Sequence, residues 1–316
     1  MAENSKKALI FGACGFAGRY LIQEMKEYGY HVFGCDLLKN ENADLCESFS
    51  ICDILDEKQV KTTIRNVHPT HIINLAAISS VGLSWKKPQK TMSVNVNGTL
   101  NILEGTCEVC PEARILLIGS SEEYVATDQM ISERTPLDAN NPYGISKFVT
   151  ERFSEIYRKR YGMKIYHVRA FNHTGIGQSE SFVIPSWCRQ AANISESGSA
   201  GIMKVGNVNV IRDLSDVRDV VRAYRMVIES DNCETVYNIG SGKGIVLSDI
   251  LKHLQGLSKQ PIEIKEDPSL FRPADNAVII CDHSLITKQL GWAPKYDILS
   301  TVKSIFESMI SENSTT

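Results

Sequence analysis

A chain of 316 residues with a formal net charge of −3, 43% hydrophobic and 22% charged residues has the balance of a globular protein, and it is longer than one compact core usually fills, so two lobes are expected. The mild acidity excludes nucleic acid and an anionic membrane surface as the main partner. No apolar run approaches the roughly 20 residues needed to cross a bilayer, and Met1–Lys7 leads directly into a strand with no secretory leader, which points to the cytoplasm.

The first strand is read at Ala8–Phe11, followed by Gly12-Ala13-Cys14-Gly15-Phe16-Ala17-Gly18. Glycines between a strand and a helix let backbone approach a pyrophosphate, whose charge the N–H groups of the helix start then meet. Ala17, Leu21, Ile22 and Met25 keep helical spacing up to Gly29. A second strand, His31–Cys35, ends at Asp36, where a carboxylate accepts hydrogen bonds from the adenosine ribose and repels a 2′-phosphate. This favours NAD(H) over NADP(H), with NADP(H) kept open.

A third strand, Phe49–Cys52, leads to Asp53 and Ile54, placed to meet the adenine edge. Asp56 caps a helix that runs to about Val67. The fourth strand, Ile72–Ala77, ends in Leu75, Ala76 and Ala77, small enough to let the cofactor near, and another helix opens at Ser93. Cys107-Glu108-Val109-Cys110 has no second pair and no histidines at zinc spacing, so the nine cysteines read as reduced and mostly buried, and no metal is expected.

The chemistry falls on Arg114–Lys147. Ile115–Ile118 reads as a buried parallel strand, broken at Gly119-Ser120-Ser121-Glu122-Glu123-Tyr124, and Pro142 sets the first turn of a helix bearing Tyr143 and Lys147 on one face. A cation about 4 Å from a phenol, at an effective dielectric near 20, is worth roughly 4 kcal/mol, enough to draw tyrosine toward neutrality. Lys147 is therefore expected to lower the pKa of Tyr143. Alternation of strands and helices at this spacing gives an α/β Rossmann fold, a doubly wound parallel sheet with ligands at the carboxyl ends of its strands. Residues 1–172 are expected to form it, and residues 173–316 a smaller C-terminal α/β substrate-binding lobe interdigitated with it.

Gly12–Gly18, Asp53, Asn74–Ala77, Asn95-x-x-Gly98-Thr99, Ser120, Tyr143 and Lys147 together resemble the extended short-chain dehydrogenase/reductases that act on nucleotide sugars. The later runs Val168–Gln178, Phe182–Pro185, Lys204–Asn207 and Arg212–Tyr224 are similar to the GDP-mannose branch, most of all to its GDP-4-keto-6-deoxy-D-mannose reductases. The resemblance implies a Ser120, Tyr143, Lys147 catalytic triad passing hydride between nicotinamide and a sugar carbon, and a homodimer built on the helices after Met92 and Tyr143. It also implies a GDP-linked sugar as partner, with Arg212 and Arg272 on the diphosphate. Ser121, Asn172, Lys204 and Asn207 would border the substrate, Arg189 is either a base contact or a solvated helix residue, and Arg218, between Asp216 and Asp219, reads as a structural ion pair. Val125, Ile176 and Leu214-Ser215 depart from the family pattern. Glu122 matches the position at which related 4,6-dehydratases carry their catalytic glutamate, whereas the short Leu37–Asn40 segment lacks the arginine-rich stretch of GDP-mannose dehydratases. The expected reaction is therefore reduction of a C4 ketone, with a dehydratase or epimerase as the alternative and a non-catalytic NAD-binding regulator as the third reading.

Overall fold

The computed structural model describes residues 6–271 and 276–313. Six strands come first, β1 Lys7–Phe11, β2 His31–Asp36, β3 Ser48–Ile51, β4 His71–Asn74, β5 Arg114–Ser120 and β6 Lys164–Ala170. Then follow β7 Asn172–Thr174, β8 Gly201–Val205, β9 Ile211–Asp216, β10 Tyr237–Ile239, β11 Gly244–Val246, β12 Ile262–Glu266 and β13 Val278–Ile279. A seven-stranded sheet has the order β10-β6-β5-β4-β1-β2-β3, and all its pairings are parallel. Its strand order reverses between β1 and β4, so a crevice opens at their carboxyl ends, where the glycine run follows β1.

Alternation along the strands separates two apolar layers. Ala8, Ile10, Leu116 and Val168 face helices Phe16–Glu27 and Val217–Glu229. Leu9, Phe11, Ile115, Leu117 and Ile165 face the opposite layer, with Val60, Ile64, Ile102, Leu103 and Tyr157 from helices Glu57–Val67, Gly98–Val109 and Pro142–Tyr161. A separate core joins β8 and β12 to helices Val183–Glu196, Leu247–Leu257 and Ile298–Asn313. Between these cores a small sheet, β11-β9-β13, with β7 also paired to β9, carries Arg212 and Asn172.

The chain crosses between cores more than once. Strand β10 and helix Val217–Glu229 pack in the large sheet although they follow residue 173. Trp292 is fully buried in that same core, and its indole N–H donates to the Asp219 carbonyl at 3.0 Å. Among the described residues no helix is long and apolar enough to cross a membrane.

Some boundaries differ from the sequence reading for local reasons. β4 stops at Asn74 because the Asn74 side chain accepts from the Ala76 N–H at 3.1 Å and turns the chain. The helix expected from Ser93 starts earlier, at Pro88, and Ser93–Asn97 within it winds as a π-helical turn, a distortion that often marks functional sites.

Candidate active site

The cradle after β1 is formed by backbone. Gly12 has φ +79°, and a Cβ there would lie 2.6 Å from the Ala76 nitrogen, so only glycine lets the loop abut the end of β4. Gly15 is the N-cap of the helix that contains Phe16 and Gly18, and its lack of a side chain leaves the first-turn N–H groups to a phosphate. Asp36 accepts from the Cys14 N–H at 3.0 Å and from the Leu37 N–H at 2.7 Å, which holds its carboxylate against the glycine loop. Asn42, which sequence reasoning passed over, donates to the carbonyls of Ala13 and Gly15, both at 3.2 Å, and braces the loop from below. These residues fit a dinucleotide.

Around this cradle the other expected contacts fall into place unevenly. Asp53 accepts from the Leu55 N–H at 2.9 Å and organises the turn after β3, while Ile54 is buried against Gly98. Phe16 stacks on His173 with centroids 6.2 Å apart, so its ring ties the first helix to β7. Leu75, Ala76 and Ala77 form the wall beyond β4, secured by Asn95, which accepts from the Ile78 N–H at 2.8 Å and donates to the Ile78 carbonyl at 3.1 Å. The Asn95 amide also donates to Ser146 Oγ at 2.8 Å. The π-helical turn thus clamps the loop after β4 to the helix bearing Tyr143.

Ser120 ends β5 and caps the short 3₁₀ turn Ser121–Glu123, its Oγ accepting from the Glu122 N–H at 3.2 Å. Asn141 caps helix Pro142–Tyr161 by accepting from the Gly144 N–H at 2.9 Å, and the same side chain donates to Glu122 Oε2 at 2.8 Å. Glu122 is thereby fixed beside the start of that helix. Ser121 is buried in the turn.

Lys147 is only 8% exposed, donates to the Ile118 carbonyl at 2.8 Å, and places Nζ 5.8 Å from the Tyr143 ring centroid. Burial lowers its pKa to about 8, against a smaller opposite push from Glu123. Burial raises the Tyr143 phenol above its usual value, a hydrogen bond with Ser120 offsets part of that, and Glu122 and Glu123 add to the rise. The expected tuning of Tyr143 by Lys147 is therefore corrected: in the protein alone desolvation dominates, and the ammonium is spent on the β5 backbone.

In the second half Arg189, Arg218 and Arg212 have internal partners. Arg189 reaches Glu180 at 2.8 Å and Glu312 at 2.5 Å. Arg218 pairs with Asp216 at 2.7 Å and lies 3.7 Å from the Tyr296 ring centroid, an ion pair as the sequence suggested. Arg212 is buried in β9 and donates to its own strand at the Ile211 carbonyl, 2.8 Å away. Asn172 is exposed at the start of β7, opposite Leu214 of β9. Lys204 is exposed on β8, and the Asn207 side chain accepts from the Asn209 N–H at 3.1 Å. Arg272 lies outside the described residues.

The sequence profile of the family described as GDP-mannose 4,6 dehydratase matches residues 9–305. The chain belongs to that family. It is 28% identical over 314 residues to the GDP-6-deoxy-D-mannose reductase of Pseudomonas aeruginosa, covering 98% of this chain and 99% of that one. It is 26% identical over 350 residues to a GDP-mannose 4,6-dehydratase of Vibrio cholerae, covering 96% and 94%. In three dimensions it is similar to a UDP-glucose 4-epimerase of Thermotoga maritima solved with UDP-glucose, with TM-score 0.88, 25% identity and 98% and 100% coverage. RMD from Pseudomonas aeruginosa complexed with NADPH has the same fold, with TM-score 0.82, 24% identity and 98% coverage of each chain.

Within this extended short-chain dehydrogenase/reductase framework, one feature of the GDP-mannose dehydratase-family chain escaped the motif reading. Behind Ser120 lies a fully buried polar cluster of Glu123, Glu151, His167 and Arg169. Its signal was present in β6, Lys164-Ile-Tyr-His-Val-Arg-Ala, where His167 and Arg169 share the face of Ile165 in an otherwise apolar strand.

Proposed function

We propose that the protein reduces the C4 ketone of a GDP-linked 4-keto-6-deoxy sugar, such as GDP-4-keto-6-deoxy-D-mannose, using a nicotinamide cofactor bound along the glycine loop. The observation that carries this reading is the arrangement of Ser120 at the carboxyl end of β5 beside a half-buried Tyr143 and a buried Lys147, next to a cradle suited to a dinucleotide. The nicotinamide supplies hydride when bound. Ser120 orients the substrate carbonyl, and Tyr143, kept protonated by its burial, donates its proton to the oxygen that becomes the alcohol. Lys147 holds the nicotinamide ribose. Gly12, Gly15, Phe16, Gly18 and Asp36 hold the adenosine and diphosphate side, and the loop 75–77 lines the nicotinamide side.

Asp36, facing the loop from the end of β2, supports NADH as the working form. Arg212, with Arg272, is assigned to the substrate diphosphate, and Asn172, Lys204 and Asn207 to its flanks. Arg189, held by two carboxylates, enters the site only if a ligand displaces one of them. Ile145 and Ile156, exposed on helix Pro142–Tyr161, support a homodimer packed through that helix.

One observation favours a second reaction. Glu122, half-buried and held by Asn141, is near enough to Tyr143 to raise its pKa, as a base working alongside that tyrosine would be. Under this reading the chain is a 4,6-dehydratase. Mass analysis of GDP-mannose incubated with NAD separates the two: loss of water without net cofactor change requires the dehydratase, and an unchanged mass supports the reductase.

A further inference from the structure

Glu123 is 0% exposed, and only one of its oxygens is hydrogen-bonded, Oε1 accepting from the Ser120 N–H at 2.6 Å. His167, also 0% exposed, has no hydrogen bond at either ring nitrogen within the described residues. Its Nε2 lies 3.3 Å from Glu151 Oε2 and 3.7 Å from Glu123 Oε1. Glu151 is already taken by the Arg169 fork, at 2.8 and 2.5 Å. A buried carboxylate oxygen and a buried imidazole without hydrogen-bond partners both carry desolvation costs that their attraction for each other offsets. Gly119 keeps the two together, since a Cβ there would stand 2.3 Å from Glu123 Oε1 and 2.4 Å from His167 Nε2.

We propose that Glu123, seated against His167, is a positioning residue that holds Ser120 in place and sets the charge state of the Tyr143–Lys147 pair from behind β5. The proposal rests on the assignment of Tyr143 as proton donor. Burial pushes Glu123 up, and the neighbouring His167 pulls it part of the way back toward the charged form. The Glu123 charge in turn raises both Lys147 and Tyr143.

Other charges reach the same site. Glu122 acts on Tyr143 from the 3₁₀ turn, and Glu151 on Glu123 from the catalytic helix. Arg169 of β6 is spent on Glu151 and on the Tyr124 hydroxyl, which donates to Asn238 of β10. Glu133 accepts from the Asn238 N–H at 2.9 Å and its carbonyl lies 3.5 Å from Arg169, while Tyr224 of helix Val217–Glu229, whose phenol burial pushes up, is near enough to Tyr143 to interact with it. Within this set Glu123 is the carboxylate that acts on both catalytic groups.

Losing the Glu123 charge lowers the pKa of Lys147 and of Tyr143 together. The test compares wild type with Glu123→Gln, His167→Gln and Glu123→Asp, after thermal melts show which variants fold. Lys147 is titrated by NMR in cofactor-free protein with isotopically labelled lysine, and the pH profile of kcat/KM is recorded with GDP-4-keto-6-deoxymannose. Glu123→Gln and His167→Gln are expected to lower the Lys147 titration, and the basic limb of the profile, by about one pH unit, a roughly tenfold effect. Glu123→Asp, which keeps the charge, should recover most of it. A folded Gln variant with Lys147 and the basic limb unmoved overturns the proposal, as does a stoichiometric metal ion held by Glu123, Glu151 and His167 in the purified protein. Should the sugar not turn over, the Lys147 titration still decides the proposal, and the absent turnover counts against the reductase alone.

Discussion

The crevice of the large sheet and the small lobe beyond it treat their charged groups in opposite ways. At the crevice, loop backbone is left open, Asp36 is aimed at it, and Lys147 is buried at the cost of a lowered pKa. In the small lobe and where the chain returns from it to the large sheet, Arg189 and Arg218 are consumed by Glu180, Glu312 and Asp216. A basic residue in a recognisable motif is therefore a ligand contact only to the extent that the chain has not already neutralised it, and the difference predicts which substitutions damage chemistry and which damage stability.

The largest effect is expected at the crevice. Tyr143→Phe should reduce turnover by about 10³-fold or more, because the proton donor is lost, while calorimetry shows nearly unchanged cofactor affinity. Gly12→Ala, forced into a left-handed backbone and against Ala76, should weaken cofactor binding by more than about tenfold and lower the melting temperature.

The pH dependence sharpens the same point. Burial lowers Lys147 to about 8 in the cofactor-free protein, so the folded state binds fewer protons than the unfolded one between that value and the ordinary lysine range. The stability cost of the buried ammonium is then fully present below about pH 8 and is relieved as pH rises through that window. Cofactor affinity moves the other way, falling by up to about tenfold per pH unit above about 8, as titration calorimetry from pH 7 to 9.5 would record. Asp36→Ala should cost NADH about tenfold in affinity and shift the NADH to NADPH preference toward the phosphorylated form. The smallest effect belongs to Arg218→Ala, whose guanidinium is half-exposed: about 1 kcal/mol of stability with less than a twofold change in KM, measured by denaturant melts beside steady-state kinetics.

The parallel sheet was legible because each of its early strands is an apolar run and each is followed by helical spacing, and the glycine loop because its spacing between strand and helix has few other uses. The Arg218 pair was legible from its flanking aspartates. Less visible was anything set by contacts distant in sequence. β10 joins β6 across the later part of the chain, and Trp292 returns to the first core. Neither could be placed without the third dimension. Asn42 and Asn95 work by side-chain bonds to backbone 17 to 29 residues away, distances at which no motif operates. Most instructive are the neighbours Glu122 and Glu123. A family pattern singled out the first, while the second, fully buried behind Ser120, becomes informative only when His167 is seen against it.

The central claim is the reaction at Ser120, Tyr143 and Lys147. The most direct measurement incubates the purified protein with GDP-4-keto-6-deoxymannose and NADH, and in parallel with NADPH, following product mass and reduced cofactor together. A two-hydrogen mass gain matched by stoichiometric cofactor oxidation, faster with NADH, is the predicted result. An unchanged sugar nucleotide with both cofactors, in a protein that binds NADH, would contradict it.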